Sequence, residues 1–333
     1  MQIFFSILTA VSLLGLANGS VVPRQDRGPY VGYLLSTFSD PNPQVFWYLS
    51  DISDPLAFKA LNGGNPVLRS TVGTRAVRDV FLASNADRSE YFVIATDLDI
   101  NAAGFSWDQV TRRGSRGLTI WKSNNLVDWS APTLAIIEDE TAGMAWAPSV
   151  VWNDNEQQYY LFWASRLYAS NDRDHTGTAT LDRIRYTTTK DFVAFSRAAD
   201  YLAPQGIPLI DQEFLDLGTP GAYARFLKDE NVNRIYAETT TDGLFGEWTR
   251  VPGYVVDSLY EGAASFPDIN TPGRYYLLLD NYVQYVPYQT NNIWTGPWEQ
   301  SRAPQFPPGI KHGSVFLLTQ AERDAITSRY LAK

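Results

Sequence analysis

The chain has 333 residues, with 27 Lys plus Arg against 36 Asp plus Glu and a formal net charge of −9. A hydrophobic share of 44% is enough to bury a large core, and the acidic balance excludes a nucleic-acid binder built on a basic stripe. Cysteine is absent and histidine occurs only at His175 and His312, which excludes thiol catalysis, disulfides and multi-histidine metal sites.

Met1–Gly19 is an apolar run ending in the small-x-small sequence Ala17-Asn18-Gly19. It reads as a secretory signal peptide, too short to span a bilayer comfortably. No basic amphipathic segment marks a membrane-surface role after its removal. Residues 20–29 read as a linker, and residues 30–333 as one domain.

From Tyr30 onward one phrase recurs five times. It is an aromatic strand, a polar turn, and a closing aromatic at Phe58, Trp129, Phe195, Trp248 or Trp298. A second phrase precedes each copy. It is an apolar-aromatic strand over Tyr30–Phe38, Tyr91–Leu98, Tyr159–Ser165, Tyr223–Asp229 and Tyr275–Asn281. Several of these alternate poorly, as strands buried on both faces do. Five units with room for four short strands each predict an all-β, five-bladed β-propeller. A sandwich pair lacks this recurrence, and a β-helix repeats at a shorter period. The rich aromatic content fits stacking on sugar faces and equally fits cross-strand packing.

The first unit lacks an inner strand before Tyr30, and His312–Leu318 is a lone strand near the C-terminus. Placing it as the inner strand of the first blade closes the ring and covers an open edge. Thr319–Leu331 reads as a short terminal helix.

The inner strand of each blade lines the channel, so chemistry converges at its start. The starts read Val77-Arg78-Asp79, Ala145-Trp146-Ala147-Pro148, Ile210-Asp211-Gln212-Glu213, Tyr260-Glu261-Gly262 and His312-Gly313-Ser314. Three of the five carry a carboxylate beside an apolar strand, a costly place for an unpaired charge. Glu213 and, more weakly, Asp216 compete with Asp211 as the carboxylate of the fourth start. Structural readings remain open: Arg78 as a partner of Asp79, Arg225 as a partner of Glu261, and Trp146 as packing between blades. Asp40-Pro41-Asn42 reads as a plain turn, and Asn171–His175 as a solvated loop without the spacing of a calcium loop.

Those five starts, in order over residues 30–318, resemble glycoside hydrolase family 43, five-bladed propellers acting on arabinose- and xylose-containing glycans. The resemblance implies a secreted inverting glycosidase, of arabinofuranosidase or xylosidase type, with an oligo- or polysaccharide substrate and no required cofactor. It implies Asp79 as general base, Glu261 as general acid and Asp211 as the carboxylate that orients and tunes the acid. It implies Trp146 and Arg78 as substrate-binding residues, and His312 as a channel residue near a calcium ion through water. Val80, Ala263 and Ser149 depart from the family pattern. They keep a second expectation in play, a carbohydrate-binding propeller without catalysis.

Overall fold

The computed structural model describes residues 29–331. The expected signal peptide and nearly all of the linker therefore lie outside the described residues. The strands form five antiparallel sheets of four strands each. Blade one holds β1 (Tyr30–Ser39), β2 (Asn42–Asp51) and β3 (Asp54–Ala60). Blade two holds β4 (Val77–Ser84), β5 (Tyr91–Asp97), β6 (Gly117–Ser123) and β7 (Thr133–Ile136), with a short helix, α1 (Trp107–Arg113), between β5 and β6. Blade three holds β8 (Trp146–Asn153), β9 (Gln158–Ser165), β10 (Arg183–Thr189) and β11 (Ala199–Leu202). Blade four holds β12 (Leu209–Asp216), β13 (Tyr223–Asp229), β14 (Arg234–Thr240) and β15 (Thr249–Arg250). Blade five holds β16 (Glu261–Pro267), β17 (Tyr275–Asp280), β18 (Tyr285–Thr290) and β19 (Glu299–Gln300). The last strand, β20 (Ser314–Thr319), pairs antiparallel with β1 and takes the inner place in blade one. The expected five-bladed propeller, closed by the C-terminal strand, is the observed fold.

The second strands predicted from sequence coincide with β1, β5, β9, β13 and β17. β5 is buried along its whole length, because each blade is sandwiched between two others and a strand has no solvent face. The core accordingly consists of five clusters, each between neighbouring blades. Trp47 and Trp121 join blades one and two, and Phe92 and Trp163 join two and three. Phe162 and Leu227 join three and four, Phe226 and Leu277 join four and five, and Tyr33 and Phe266 join five and one.

A C-terminal helix, α2 (Gln320–Tyr330), follows β20 directly. Thr319 and Glu322 form a reciprocal capping box at its start. Glu322 also accepts from Arg88 Nη1 at 2.7 Å and from the Tyr91 hydroxyl at 2.7 Å, both on blade two. The helix thus latches the closing strand to the next blade. Among the described residues no helix is long and apolar enough to cross a membrane.

Candidate active site

Adjacent antiparallel strands bring the starts of the inner strands and the ends of the second strands to one face of the ring. Val77 pairs with Asp97, Leu209 with Asp229, and Glu261 with Asp280. On that face four inner strands share one irregularity. Pairing slips between Arg78 and Phe81, Trp146 and Ser149, Ile210 and Glu213, and Glu261 and Ala264. The first residue in each slip has a positive φ: Asp79 at 50°, Ala147 at 52°, Asp211 at 53° and Gly262 at 56°. These are β-bulges at equivalent positions, devices that re-aim a side chain at the rim of a sheet. Aspartate tolerates the left-handed region better than most residues. The bulge is therefore a backbone reason for Asp at 79 and 211. Glu261 stands one residue before its bulge, equivalent to Arg78 and Trp146.

Asp79 accepts the Thr96 hydroxyl at 2.8 Å and lies 3.2 Å from His312 Nδ1. Thr96 in turn accepts the Ala147 amide at 2.8 Å, tying the next bulge to the same carboxylate. Burial pushes the Asp79 carboxyl up, but His312, Arg78 and Thr96 outweigh it and hold it below the ordinary range. The hydrogen bond expected from Arg78 goes elsewhere: Arg78 donates to Asp40 at 2.7 Å and lies 4.4 Å over the Phe38 ring. Asp40 also receives Lys311 at 3.1 Å. The Asp40 turn is thus a turn, as expected, and also an ionic clamp on this face.

Asp211 accepts the Gly262 amide at 3.1 Å. Burial, then the charges of Glu261 and Asp79 against the pull of His312 and Lys228, push it up to about 6. Glu261 does not pair with Arg225, which binds Glu238 at 2.6 Å instead. Its partner is Lys228, 3.0 Å away at the end of β13. Burial pulls the Lys228 ammonium down, but Asp211 and Glu261 outweigh it and hold it above its usual value. Glu213 sits further along the channel, where its Oε1 accepts the Ser265 amide at 2.8 Å. Burial pushes it up to about 8.

His312 stands between the two sides of the site. Its ring bonds Asp79, while a Cβ on Gly262 would lie 2.6 Å from its Cγ. Gly262 is therefore required twice, for its φ and for the imidazole. Burial opposes the His312 charge, but Asp79, Asp211 and Asp280 raise it to about 9. Among the described residues no group of three or more His, Cys, Asp and Glu side chains is placed to hold a metal. The His312 ring faces Asp79 directly, 3.2 Å from its Oδ1.

Trp146 is half-buried and meets Trp107 of α1 edge-on at 6.0 Å. Trp107 is 54% exposed, unusual for an indole, and Phe105 packs against it at 4.9 Å. The loop at 171–175 is not wholly solvated: His175 is buried, stacked 4.2 Å from Tyr168 and bonded to the Glu140 carbonyl at 2.9 Å. Sequence reasoning missed Thr96, Lys228, Asp280 and Lys311 and read Asp40 as a turn alone; together they are the polar shell that joins the candidates.

These charges set a pH window for stability. Burial pushes both Asp211 and Asp280 up to about 6. The cost of ionising them inside the fold is absent below about pH 4 and complete above their folded values. His312, raised to about 9, contributes stability that is full below its unfolded value of about 6.5 and lost as pH rises through the folded one. Asp79 acts oppositely: its contribution is present above about pH 4 and lost as pH falls through its lowered folded value. The Tm is expected to be highest at about pH 4 and to fall from there toward about pH 9, as first the two raised aspartates ionise and then His312 loses its proton. Scanning calorimetry across that range checks it, and a Tm climbing toward alkaline pH contradicts this protonation pattern.

A family model described as "Probable glycosyl hydrolase domain", related to glycoside hydrolase family 43, matches residues 28–324. An α-L-arabinofuranosidase of Bifidobacterium longum subsp. longum is 32% identical over 216 residues, which is 61% of this chain and 20% of that protein. The match thus spans about a fifth of that relative. A crystal structure of an exo-β-1,3-galactanase from Phanerochaete chrysosporium is similar with a TM-score of 0.49 and 13% identity, covering 82% of this chain and 54% of that one. The catalytic domain of an α-L-arabinofuranosidase of family 62 from Coprinopsis cinerea gives a TM-score of 0.46 and 13% identity, covering 72% of each chain. With a family model covering nearly all the described residues, over a propeller whose inner strands gather carboxylates on one face, the chain belongs to the glycosyl hydrolase family related to glycoside hydrolase family 43.

Proposed function

We propose that this protein is a secreted, inverting glycoside hydrolase that removes arabinose or xylose units from plant-type glycans, with α-L-arabinofuranosides as its first substrates. The observation that carries the reading is that His312 meets Asp79 at 3.2 Å and packs against Gly262, the residue after Glu261, so that both carboxylate-bearing strand starts meet at one imidazole. Asp79 is held ionised by the imidazolium and Thr96, as a general base must be. Glu261 precedes Gly262, which packs against the imidazole and whose amide is held by Asp211, and its carboxylate bonds Lys228. In an inverting hydrolysis the two carboxyl groups stand about 6.5–9.5 Å apart, leaving room for a water. Asp79 takes a proton from that water as its oxygen bonds the anomeric carbon. Glu261 gives a proton to the leaving oxygen as the glycosidic bond breaks. Asp211 acts through Glu261, as a positioning residue. The sequence similarity to an arabinofuranosidase supports the choice of sugar, and the leader-like Met1–Gly19 supports secretion. β-Xylosides are the second substrate class of this reading.

Proton NMR of the first turnovers on 4-nitrophenyl α-L-arabinofuranoside and β-D-xylopyranoside tests it. Inverted product is expected, from the arabinofuranoside first. Retained configuration removes the base role of Asp79. No product from either glycoside, or from arabinan and arabinoxylan, on folded protein leaves the binding-only alternative.

A further inference from the structure

Tyr282 sits in the turn between β17 and β18, on the face that carries the carboxylates. Its φ is 70°, the largest positive value of any described non-glycine residue. A bulky side chain rarely occupies this region, and when one does it tends to mark a ligand clamp or active site. The backbone there is fastened on both sides. The Tyr282 amide donates to Asp280 Oδ1 at 2.8 Å, and its carbonyl accepts Lys311 Nζ at 2.9 Å. Asn281 Oδ1 accepts the next two amides, Val283 and Gln284, at 3.1 and 2.9 Å. The site's own charged shell therefore holds the strained residue. The residue as a whole is nonetheless 41% exposed. Lys228 Nζ lies 5.4 Å from the ring centroid, and the same ammonium bonds Glu261. The phenol is raised above its ordinary value by burial, with Glu261 and Asp211 adding to that against Lys228, so those groups surround it.

We propose that Tyr282 seats the leaving-group sugar, so that the enzyme favours glycosides whose leaving group is a sugar over those whose leaving group is small. The inference rests on the reading of Glu261 as the acid. The group beside the acid is the one whose oxygen is protonated, and Tyr282 is the exposed aromatic beside it. An aromatic ring offers a flat apolar face to the C–H side of a pyranose and a polar tip toward Lys228. Fixing the ring in advance removes the cost of ordering it when the glycan binds.

The test compares two substrates of one glycosyl group. One is an α-L-arabinofuranosyl-substituted xylotetraose, and the other is α-L-arabinofuranosyl fluoride, whose leaving group is too small to reach the ring. The ratio of kcat/KM for the oligosaccharide to that for the fluoride is expected to fall by about 10–100-fold in Tyr282→Gly. Tyr282→Phe should restore most of it. Glycine suits the left-handed backbone, so Tyr282→Gly is expected to melt within about 3 °C of the wild type. A ratio unchanged in Tyr282→Gly overturns the proposal, as does equal loss on both substrates. A wild-type protein that hydrolyses neither substrate fails earlier, at the proposed function, and takes this inference with it.

Discussion

Replacing Asp79 by Asn is expected to lower kcat/KM by about 10²–10⁴-fold on every glycoside, whatever its leaving group. The amide keeps the shape and can still meet the Thr96 hydroxyl, but it cannot take a proton from water. Replacing Glu261 by Gln should cost a similar factor on natural linkages, whose sugar alkoxide leaves poorly without a proton. On a 2,4-dinitrophenyl glycoside the loss should be much smaller, because that phenolate leaves unaided. The two variants therefore separate by leaving group: a flat loss marks the base and a graded loss marks the acid. The measurement is steady-state kinetics on a series of aryl glycosides of falling leaving-group acidity. The reversed pattern exchanges the two roles, and full turnover in Asp79→Asn removes the base from this position. Asp79→Asn also takes the counter-charge from His312, so melting of each variant accompanies the kinetics. A loss of activity at unchanged Tm belongs to the chemistry and not to the fold.

The blade pattern was readable in the chain because a propeller repeats itself, and aromatic strands with polar turns leave the same mark five times. The inner-strand carboxylates were readable because a charge beside an apolar run is costly without a purpose. Two things were not. The equivalence of Asp79, Ala147, Asp211 and Gly262 depends on a bulge that changes register without changing composition. Three residue types at one structural position hide it. The polar shell was overlooked for a different reason. Lys228, Asp280 and Thr96 lie at the ends of second strands, which antiparallel pairing returns to the face where the inner strands begin. A signal for them was present, since β5, β13 and β17 all end in Asp. It becomes informative only once the strands are paired. His312 shows the same limit in another form. The residue could be singled out from the sequence, but its contact with the Asp79 carboxylate at 3.2 Å, which raises its pKa, could not. That follows from three-dimensional placement and not from residue type.

Replacing Glu322 by Ala is expected to lower the Tm by on the order of 10 °C, the largest stability effect among the surface-remote ion pairs. Glu322 is 7% exposed and serves four donors: the amide and hydroxyl of Thr319, the Arg88 guanidinium and the Tyr91 hydroxyl. Its loss uncaps α2, which costs about 1 kcal/mol. It also leaves Arg88, whose side chain is 12% exposed, without its counter-charge. Breaking a buried pair from one side costs about 3–5 kcal/mol, whereas removing both charges together is far cheaper. The double variant Arg88→Met, Glu322→Leu should therefore melt well above Glu322→Ala, and a double-mutant cycle by denaturant unfolding reads the coupling. The exposed Arg112–Asp108 pair, with its aspartate side chain 73% exposed, is the control, since such pairs contribute about 0–1 kcal/mol. If Glu322→Ala costs no more than breaking that pair, α2 is not a latch. If it is a latch, the effect reaches the chemistry. His312 enters β20 at one end and Glu322 secures the other, so a blade that loosens at its helix also loosens the imidazole that keeps Asp79 ionised.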